Sequence, residues 1–424
     1  MQQEPYWWDA APRPRIEPGD PPRRVDVAVV GSGYTGLSAA LHLAEGGAGV
    51  AVFDGAEIGS GASSRNAGFV GRTLKHGFGD ILKARGLERA VAVYREMQQV
   101  FDGVGELIAR HRIDCGYKAN GRLVLAATPR QYDALAAEYD LRRRHLGSPF
   151  DPVGGPDLAR EIATDRYCGG VIVPDLAALH PGPYHQGMVA AARAAGVALL
   201  PLTPVTCLDG DAAGWRVQTA RGTVEARHVV VATNGHSGDL LPWLRRRLIP
   251  FDAWMIATAE LPEPVIARLL PDDRTYIDSN MNIDFIRRSP DGRRVIFGGK
   301  TGTKSTIPVM ARRLAAELRA IFPDLARTEI THAWTGRCAA TFDLDPHLGR
   351  HAGIHYGAGY CFAGVPMGTH FGRLIANRIL GRGPQESVFA DRPFPTLPLY
   401  AGNTWFVPWM MRYYDWRDGK RHLA

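Results

Sequence analysis

A glycine-rich turn near the start of the chain constrains the fold more than any other feature. Gly31, Gly33 and Gly36 form a G-x-G-x-x-G pattern between an apolar run, residues 25–30, and a run of small residues, 37–44. A strand, a turn and a helix in this order predict a dinucleotide-binding unit. Gly31 permits the tight turn, Gly33 lets the backbone approach a pyrophosphate, and Gly36 lets the helix pack closely on the strand.

The residues after the helix extend this prediction. Residues 50–53 are apolar and predict the second strand. Asp54 follows about 20 residues beyond the glycines, where a carboxylate accepts a hydrogen bond from a ribose hydroxyl and disfavours a 2′-phosphate. The loop EIGSGASSRNAGFV, residues 57–70, then replaces the helix of a simple βαβ repeat. Its small, hydrogen-bonding residues favour a larger cofactor lying across the sheet, and a plain surface loop is the alternative.

Length and composition exclude several classes of protein. With 424 residues, 45% of them apolar and 22% charged, the chain predicts a globular protein of two or three folding units. The net charge is +7, but the arginines form only two short runs, 142–144 and 245–247. We therefore predict no nucleic-acid partner.

The cysteines and the apolar runs bear on the compartment and on metals. Five scattered cysteines without a C-x-x-C pair predict neither a disulfide framework nor a metal site, and they fit a reducing compartment. The N-terminal stretch has no apolar core of a signal peptide, and the long uncharged runs are rich in glycine and proline. We expect a cytoplasmic protein with no integral membrane segment.

The rest of the pattern predicts an order of elements. Residues 1–24 are expected to form an extended arm. The further predicted elements are helices over 80–147 with a short strand at 121–126, a helix over 181–195, a strand at 229–232, a hairpin turning at Asp291-Gly292, a helix over 308–321, and a C-terminal strand and helix with Pro366 in the first helical turn.

Several stretches of the chain resemble one family of flavoenzymes. The matching stretches include GYTGLSAALHLAE, IGSGASSRNAG, RIDCGYKANGRLVLA and WTGRCAATFDLDPHLGR, and they run along nearly the whole sequence. In these motifs the chain is similar to the FAD-dependent D-amino-acid oxidase/glycine oxidase superfamily. Within that superfamily it looks most like the γ-glutamylputrescine oxidase-type amine oxidases.

The resemblance implies an α/β fold of two interleaved domains. A Rossmann-like, glutathione-reductase-like FAD domain would comprise residues 1–79, 150–245 and 330–424. An α+β substrate domain with a mixed or antiparallel sheet would comprise residues 80–149 and 246–329. The residues that the motifs place against FAD are Gly31, Gly33, Tyr34, Thr35, Gly36, Asp54, Gly61, Ala62, Ser63, Ser64, Arg65, Asn66, Ala67, Gly68, Val205, Thr233, Gly336, Gly359, Gly364, Val365, Pro366 and Met367.

The implied reaction is the oxidation of a C–N bond in a small amine or amino acid. A hydride passes to flavin N5, and the imine is hydrolysed to a carbonyl compound, with O2 as the expected acceptor giving hydrogen peroxide. A helix N-terminus near Pro366 would stabilise negative charge on the reduced ring. A dehydrogenase that passes electrons to a quinone or carrier, and a flavin-binding subunit without activity, are the alternatives.

Three residues are candidates for work at the reacting centre. Arg287, in the family hairpin, could bind a substrate carboxylate, although surface decoration is an equal alternative. Lys300 could promote reaction with oxygen, with a solvated strand end as the alternative. Phe362 stands where the family's G-Y-S-G-H-G-V stretch has a glycine, since this chain has GYCFAGV at 359–365.

The flavin is expected to be held without a covalent bond. Arg65 occupies the place of the histidine to which some relatives attach their flavin, and Gly336 occupies the place of the attaching cysteine. Cys338 lies two residues away from that second place. We therefore predict dissociable FAD.

Overall fold

The computed structural model of the chain describes residues 1–302, 304–383 and 386–418, so the end of the third predicted FAD segment, 419–424, lies outside the described residues. The strands are β1 Arg24–Val30, β2 Val50–Phe53, β3 Phe69–Val70, β4 Arg122–Ala126, β5 Asp151–Gly154, β6 Gly169–Val173, β7 Ala177–Ala178, β8 Ala198–Leu200, β9 Val205–Asp211, β10 Gly214–Thr219, β11 Gly222–Val231, β12 Leu248–Thr258, β13 Thr275–Asp278, β14 Phe285–Arg288, β15 Val295–Gly299, β16 Ile330–Thr341, β17 His347–His351 and β18 Ile354–Ala358. The helices are α1 Tyr6–Ala10, α2 Tyr34–Glu45, α3 Phe78–His111, α4 Pro129–Leu146, α5 Pro181–Ala194, α6 Pro242–Arg245, α7 Glu263–Leu269, α8 Ile307–Ile321, α9 Gly364–Ile379 and α10 Val407–Arg417.

Two large sheets organise the molecule. The first has the order β17-β18-β11-β1-β2-β8, with parallel pairing from β18 to β8 and an antiparallel ribbon, β9 and β10, on β11. The second has the order β16-β12-β15-β14-β13-β4-β6-β5 and is antiparallel except for the β13–β4 pair. These sheets confirm the predicted α/β fold with a Rossmann-like unit and a second, mixed sheet.

The sheet partners of three strands bear on the predicted domain boundaries. Strands β5, β6 and β16 fall in segments assigned to the FAD domain, yet they pair within the second sheet. Strand β16 is long and pairs with β12 over almost its whole length. The division into the two domains at residues 150 and 330 stays a prediction.

Glycines let α2 and α9 pack closely over the first sheet. A Cβ on Gly36 would lie 1.9 Å from the Gly31 carbonyl oxygen, so that only glycine permits this approach of α2 to the turn. A Cβ on Gly372 of α9 would lie 2.5 Å from Ser38 Cβ in α2, and Gly368 also faces α2. Gly368 and Gly372 therefore allow α9 to pack closely against α2.

The expectation of an extended arm over residues 1–24 is wrong in its first part. Residues 6–10 form α1, and Tyr6, Trp7 and Trp8 are buried. The indole of Trp7 packs edge-on against Trp334 of β16, with ring centroids 6.1 Å apart. The three aromatic rings bury more apolar surface in a short helix than an extended arm would allow, and this burial drives the docking.

Within the described residues, no helix is both long enough and apolar enough to cross a membrane. The same part of the chain contains no cluster of three or more histidine, cysteine or acidic side chains that could hold a metal ion.

Candidate active site

A cavity of about 1000 Å³ lies between the two sheets. Its walls include Val30 and Val231 from the first sheet and Met255 and Phe285 from the second. Ligand pockets for small molecules have volumes of roughly 300–1000 Å³, so this cavity is large enough for an extended cofactor.

The glycine turn forms one end of the cavity. Gly31 has φ 103°, a backbone conformation that favours glycine, and a Cβ there would lie 2.9 Å from the Ala232 carbonyl oxygen. Gly33 also lines the cavity, and a Cβ there would lie only 3.0 Å from the Ser63 hydroxyl oxygen. The turn therefore brings the start of α2 to the cavity, where the helix dipole favours anionic groups.

Asp54 lies beside this turn at the end of β2. One carboxylate oxygen accepts from the backbone N–H of Ser32 at 2.9 Å, and the other accepts from the backbone N–H of Ala56 at 2.9 Å. Asp54 lines the cavity, and these two hydrogen bonds fix the direction of its carboxylate. This is the place where the sequence predicts a ribose contact.

Asn66 organises the loop that follows β2. Its side-chain amide donates to the Tyr34 hydroxyl at 3.1 Å, and its carbonyl accepts from the backbone N–H of Gly68 at 2.8 Å. The Ser63 hydroxyl accepts from the backbone N–H of Tyr34 at 3.1 Å. The loop is thus tied to the first turn of α2, and Asn66 and Ser63 both line the cavity.

Helix α1 supports the same loop from behind. The Trp8 indole N–H donates to the Ser64 hydroxyl at 2.9 Å, and the Arg65 guanidinium lies 4.3 Å above the Trp8 ring. Arg65 also donates from Nε to the Ser60 carbonyl at 2.7 Å and lines the cavity. Ser64 is turned toward Trp8, whereas Arg65 keeps a face toward the cavity.

The N-terminus of α9 forms another part of the cavity wall. Ala363, Gly364, Val365 and Pro366 all line the cavity. The N–H groups of a first helical turn have no acceptor within the helix, so they are available to a group in the cavity. Pro366 carries no N–H and fits this first turn.

Phe362, just before α9, has the backbone conformation of a glycine. Its φ is 80°, and that of Cys361 is 45°. The Phe362 side chain is 43% exposed, its ring lies 5.3 Å from that of Phe251, and the Lys75 Nζ lies 5.0 Å from its ring centroid. This chain thus keeps a left-handed backbone while carrying a bulky side chain at the cavity wall.

Arg287 and Lys300 are not among the described residues that line the cavity. The Arg287 guanidinium donates to the carbonyl oxygens of Ala67 at 2.9 Å and Leu179 at 2.8 Å, and its Nε donates to Arg288 at 3.1 Å. These contacts account for its burial, and burial lowers the pKa of Arg287 to about 10. Its contact with a substrate carboxylate stays a prediction that this geometry does not favour.

Lys300 directly follows β15 and forms an ion pair with α8. Its Nζ lies 3.3 Å from a carboxylate oxygen of Glu317 in α8, and Glu317 is buried. This ion pair joins the end of β15 to α8 and supports their packing. The role of Lys300 near the flavin stays a prediction without support from this position.

The cationic side chains of Lys75, Arg122 and Arg337 also line the cavity and were missed by the sequence analysis. Lys75 donates to the Met281 carbonyl oxygen at 3.3 Å, and Arg122 donates from Nε to the Thr275 hydroxyl at 3.0 Å. Burial lowers the pKa of both, to about 10 for Arg122. The sequence contains only a weak indication of the first two side chains: Lys75 closely follows the loop of residues 57–70, and Arg122 is the first residue of the buried strand β4.

Most of the residues predicted to bind FAD lie around the cavity. Those that line it are Gly31, Gly33, Tyr34, Thr35, Asp54, Gly61, Ala62, Ser63, Arg65, Asn66, Ala67, Val205, Thr233, Gly336, Gly364, Val365 and Pro366. Those that do not are Gly36, Ser64, Gly68, Gly359 and Met367. Gly68 instead makes room for Arg287, since a Cβ there would lie 2.7 Å from the guanidinium. Their contacts with FAD stay predictions.

The two cysteines at the cavity are poor nucleophiles. Burial raises the pKa of the Cys338 thiol to about 12 and that of Cys361 to about 11. A thiolate is the reactive form of cysteine, so neither thiol is activated for bond formation. This observation supports the prediction of dissociable FAD.

The residues present fit an FAD molecule. The glycine turn offers a cradle that side chains would fill, Asp54 offers a fixed carboxylate, and the first turn of α9 lines the same cavity with N–H groups that have no acceptor within the helix. Each feature suits a different part of a long cofactor: pyrophosphate, ribose and flavin ring.

Comparisons with known proteins agree with this geometry. Residues 26–378 match the family model described as FAD dependent oxidoreductase, DAO. The chain is 32% identical over 398 residues to gamma-glutamylputrescine oxidoreductase of Escherichia coli strain K12, covering 93% of this chain and 92% of that protein. It is 27% identical over 391 residues to glycine oxidase of Geobacillus kaustophilus, covering 88% and 96%.

Solved structures share the fold. The crystal structure of glycine oxidase from Geobacillus kaustophilus superposes with a TM-score of 0.72 at 26% identity, covering 89% of this chain and 99% of that one. L-proline dehydrogenase from P. horikoshii superposes with a TM-score of 0.72 at 19% identity, covering 86% and 96%. The second likeness concerns the fold alone.

Proposed function

This chain belongs to the DAO family of FAD-dependent oxidoreductases, and from that premise we propose that it oxidises the C–N bond of a small amine or amino acid. One observation carries the proposal. The cavity that begins at the dinucleotide turn continues to a chamber walled by Phe69, Phe285 and Phe362 and bearing Lys75 and Arg122. An apolar chamber with a few charged groups is the usual form of a site for a small organic substrate.

FAD, when bound, supplies the acceptor for a hydride and its two electrons. Gly31, Gly33 and Asp54 would hold its dinucleotide end, and the N-terminus of α9 would face its ring. The backbone N–H groups there, together with the helix dipole, stabilise negative charge.

The chamber acts on the substrate in two ways. Its aromatic walls hold the carbon chain and exclude water, which strengthens every charge interaction inside. Lys75 and Arg122 attract an anionic group such as a carboxylate, and they lower the pKa of a nearby substrate amine because two like charges disfavour each other. A neutral amine is the form that can give up a hydride from its α-carbon.

The overall change is balanced by simple products. The substrate loses a hydride from carbon and a proton from nitrogen, and the resulting C=N bond adds water to give a carbonyl compound and an amine or ammonia. We propose oxygen as the final acceptor, which takes two electrons and two protons to give hydrogen peroxide.

Anaerobic mixing tests the proposal. The FAD-loaded protein is combined with polyamines, N-methyl amino acids, D-amino acids and γ-glutamyl amines, and the loss of the flavin absorbance is followed. We expect bleaching by at least one amine and no bleaching by the matching alcohol or carboxylic acid. Failure of every amine to bleach the flavin would contradict the proposal and favour a binding subunit.

A second candidate function is a dehydrogenase that donates electrons to a quinone or carrier protein. The exposed aromatic side chains of Trp409 and Trp416 favour it, since they offer a place for an apolar surface to dock. Stopped-flow reoxidation of the reduced flavin by air distinguishes the two. Fast reoxidation with peroxide formation supports the oxidase, and very slow reoxidation supports the dehydrogenase.

A further inference from the structure

Helix α10 has one face in the protein and one in solvent. On the inner face, a Cβ on Gly302 would lie 2.9 Å from both Val407 Cγ1 and Met411 Cγ, so the helix rests directly on backbone. The inner carboxylate of Asp415 accepts from the Asn282 side-chain amide at 3.0 Å. The helix is therefore anchored, and its outer face is presented in a fixed orientation.

The outer face of α10 is aromatic. Trp409 is 66% exposed, Tyr413 53% and Trp416 73%, and Trp405, just before the helix, is 68% exposed. These positions recur every three or four residues, the spacing of one helical face. Amphipathic helices of globular proteins bury their apolar stripe, whereas this helix turns its largest rings outward.

Exposed apolar side chains are concentrated in this region. Ten large hydrophobic side chains are exposed in the described part of the chain, and six of them lie within residues 397–416. The six are Leu397, Leu399, Trp405, Trp409, Tyr413 and Trp416, hereafter the aromatic patch. Single exposed apolar residues need no explanation, but a concentration of them in one segment indicates an interaction site.

The charges around the aromatic patch are cationic. Arg412 is exposed and its guanidinium lies 5.5 Å above the Trp409 ring, and Arg417 is exposed beside Tyr414. The acids of this stretch are engaged elsewhere, since Asp415 is buried and Asp418 accepts from the backbone N–H of Met281 at 2.7 Å. The outer face thus combines tryptophan, tyrosine and arginine.

We propose that the aromatic patch docks on an anionic lipid surface. Tryptophan and tyrosine are the side chains that favour the boundary between lipid and water, and arginine adds attraction to anionic headgroups. A second copy of the chain is a poorer occupant, because a symmetric contact would bring Arg412 and Arg417 toward their own counterparts. A lipid surface supplies the negative charge that these arginines lack.

The docked face would lie close to the substrate end of the cavity. Asp418 accepts from the Met281 N–H, and the Met281 carbonyl accepts from Lys75, which lines the cavity. A single residue, Met281, therefore links the C-terminal end of α10 to a side chain that lines the cavity. An apolar substrate or electron acceptor dissolved in the membrane would meet the enzyme on this side.

Vesicle sedimentation tests the proposal with the full-length, FAD-loaded protein. Vesicles of phosphatidylcholine alone and of phosphatidylcholine mixed with phosphatidylglycerol are compared at low and high salt. We expect the protein to sediment with the mixed vesicles, less with the neutral ones, and less at high salt, because screening weakens attraction to the headgroups. The double variant Trp409→Ser, Trp416→Ser should bind the mixed vesicles at least about tenfold more weakly than the unchanged protein.

The matched control removes an exposed apolar side chain elsewhere. Leu87→Ser changes a 44% exposed residue of α3 and should leave vesicle binding unchanged. Unchanged FAD content and thermal unfolding in both variants establish that the fold is intact. Absence of binding to anionic vesicles, or equal binding by the double variant, would overturn the proposal. So would a dimer in sedimentation velocity that the double variant dissociates, since the occupant would then be a second copy.

Discussion

The two ends of the cavity are built in different ways. At the dinucleotide end, backbone does the work: Gly31, Gly33 and the N–H groups around Asp54 come from one continuous segment, residues 24–56. At the substrate end, side chains do the work, and Lys75, Arg122 and Phe362 come from segments far apart in sequence. A site made of local backbone can be recognised from a short sequence motif, whereas a site made of distant side chains depends on the whole fold.

Breaking the backbone at the dinucleotide end should have the largest effect. A Cβ on Gly36 would lie 1.9 Å from the Gly31 carbonyl oxygen, so Gly36→Val forces α2 away from the turn. Overpacking of this kind costs about 1–3 kcal/mol or more, and here it also removes the cofactor cradle. We expect FAD content to fall by about tenfold or more, measured as the ratio of flavin to protein absorbance.

Gly103→Ala is the control for that variant, because a Cβ at Gly103 in α3 meets nothing within 4 Å. It should keep its FAD. Full FAD content in Gly36→Val would show that the motif does not form the cradle.

The next largest effect should come from a buried cation that supports the cavity without lining it. Arg287→Met leaves the carbonyl oxygens of Ala67 and Leu179 without their donor. Loss of hydrogen bonds from a buried charged group costs about 1.5–3 kcal/mol each. We expect lower stability in denaturant unfolding and weaker FAD retention, with kcat/KM per FAD-loaded molecule little changed. A large rise in KM at unchanged stability would instead place Arg287 at the substrate.

Lys75→Met should act on catalysis and spare the fold. On the proposed function, it removes a cation from the chamber, and a charge-assisted hydrogen bond is worth about 1.5–3 kcal/mol. We expect kcat/KM for an amine that bears a carboxylate to fall by roughly ten- to a hundredfold, and by less for a diamine. Lys300→Met is the matched control, since Lys300 pairs with Glu317 away from the cavity.

The same lysine should set a pH dependence. Burial lowers the pKa of Lys75, so its positive charge is lost at a lower pH than that of an exposed lysine. The kcat/KM for a carboxylate-bearing amine should therefore decline on the alkaline side of its pH profile. Lys75→Arg, whose guanidinium stays charged, should move this decline to higher pH. Identical profiles for the two proteins would exclude Lys75 as the group responsible.

The smallest effect concerns Phe362, where side chain and backbone disagree. Its φ of 80° suits glycine, and a left-handed conformation costs other residues about 1–2 kcal/mol. Phe362→Ala and Phe362→Gly both lose the contact with Phe251, but only glycine relieves the backbone. We expect the glycine variant to be about 1 kcal/mol more stable than the alanine variant in denaturant unfolding. The opposite order would mean that this backbone changes when the ring is removed.

The sequence predicted what local rules determine. The glycine turn, strands β1 and β2, the hairpin at Asp291-Gly292 and the start of α9 near Pro366 all formed as expected. Each of them has its own signal in a few consecutive residues, such as a turn pair or an apolar run. The elements that surround the proposed FAD site could therefore be predicted from the sequence.

The rest depended on contacts between distant residues. Helix α1 forms because Trp7 packs on Trp334 of β16 and Trp8 donates a hydrogen bond to Ser64 in the loop of residues 57–70. Nothing in residues 1–24 alone predicts those partners. Lys75 reaches the cavity because Met281 and Phe362 surround it. The hairpin predicts Arg287 as a substrate ligand or as surface decoration, and its burial against the Ala67 and Leu179 carbonyl oxygens depends on segments far away in sequence.

The order of strands in the first sheet has a consequence for the timing of synthesis. The glycine turn at residue 31 emerges from the ribosome early, yet β1 pairs with β11, β11 pairs with β18, and α2 is covered by α9. These partners extend to residue 379, and domains fold as their segments are completed. A nascent chain therefore carries the motif long before it carries the site. Early termination anywhere before α9 should yield a colourless polypeptide, however much of the sequence it retains.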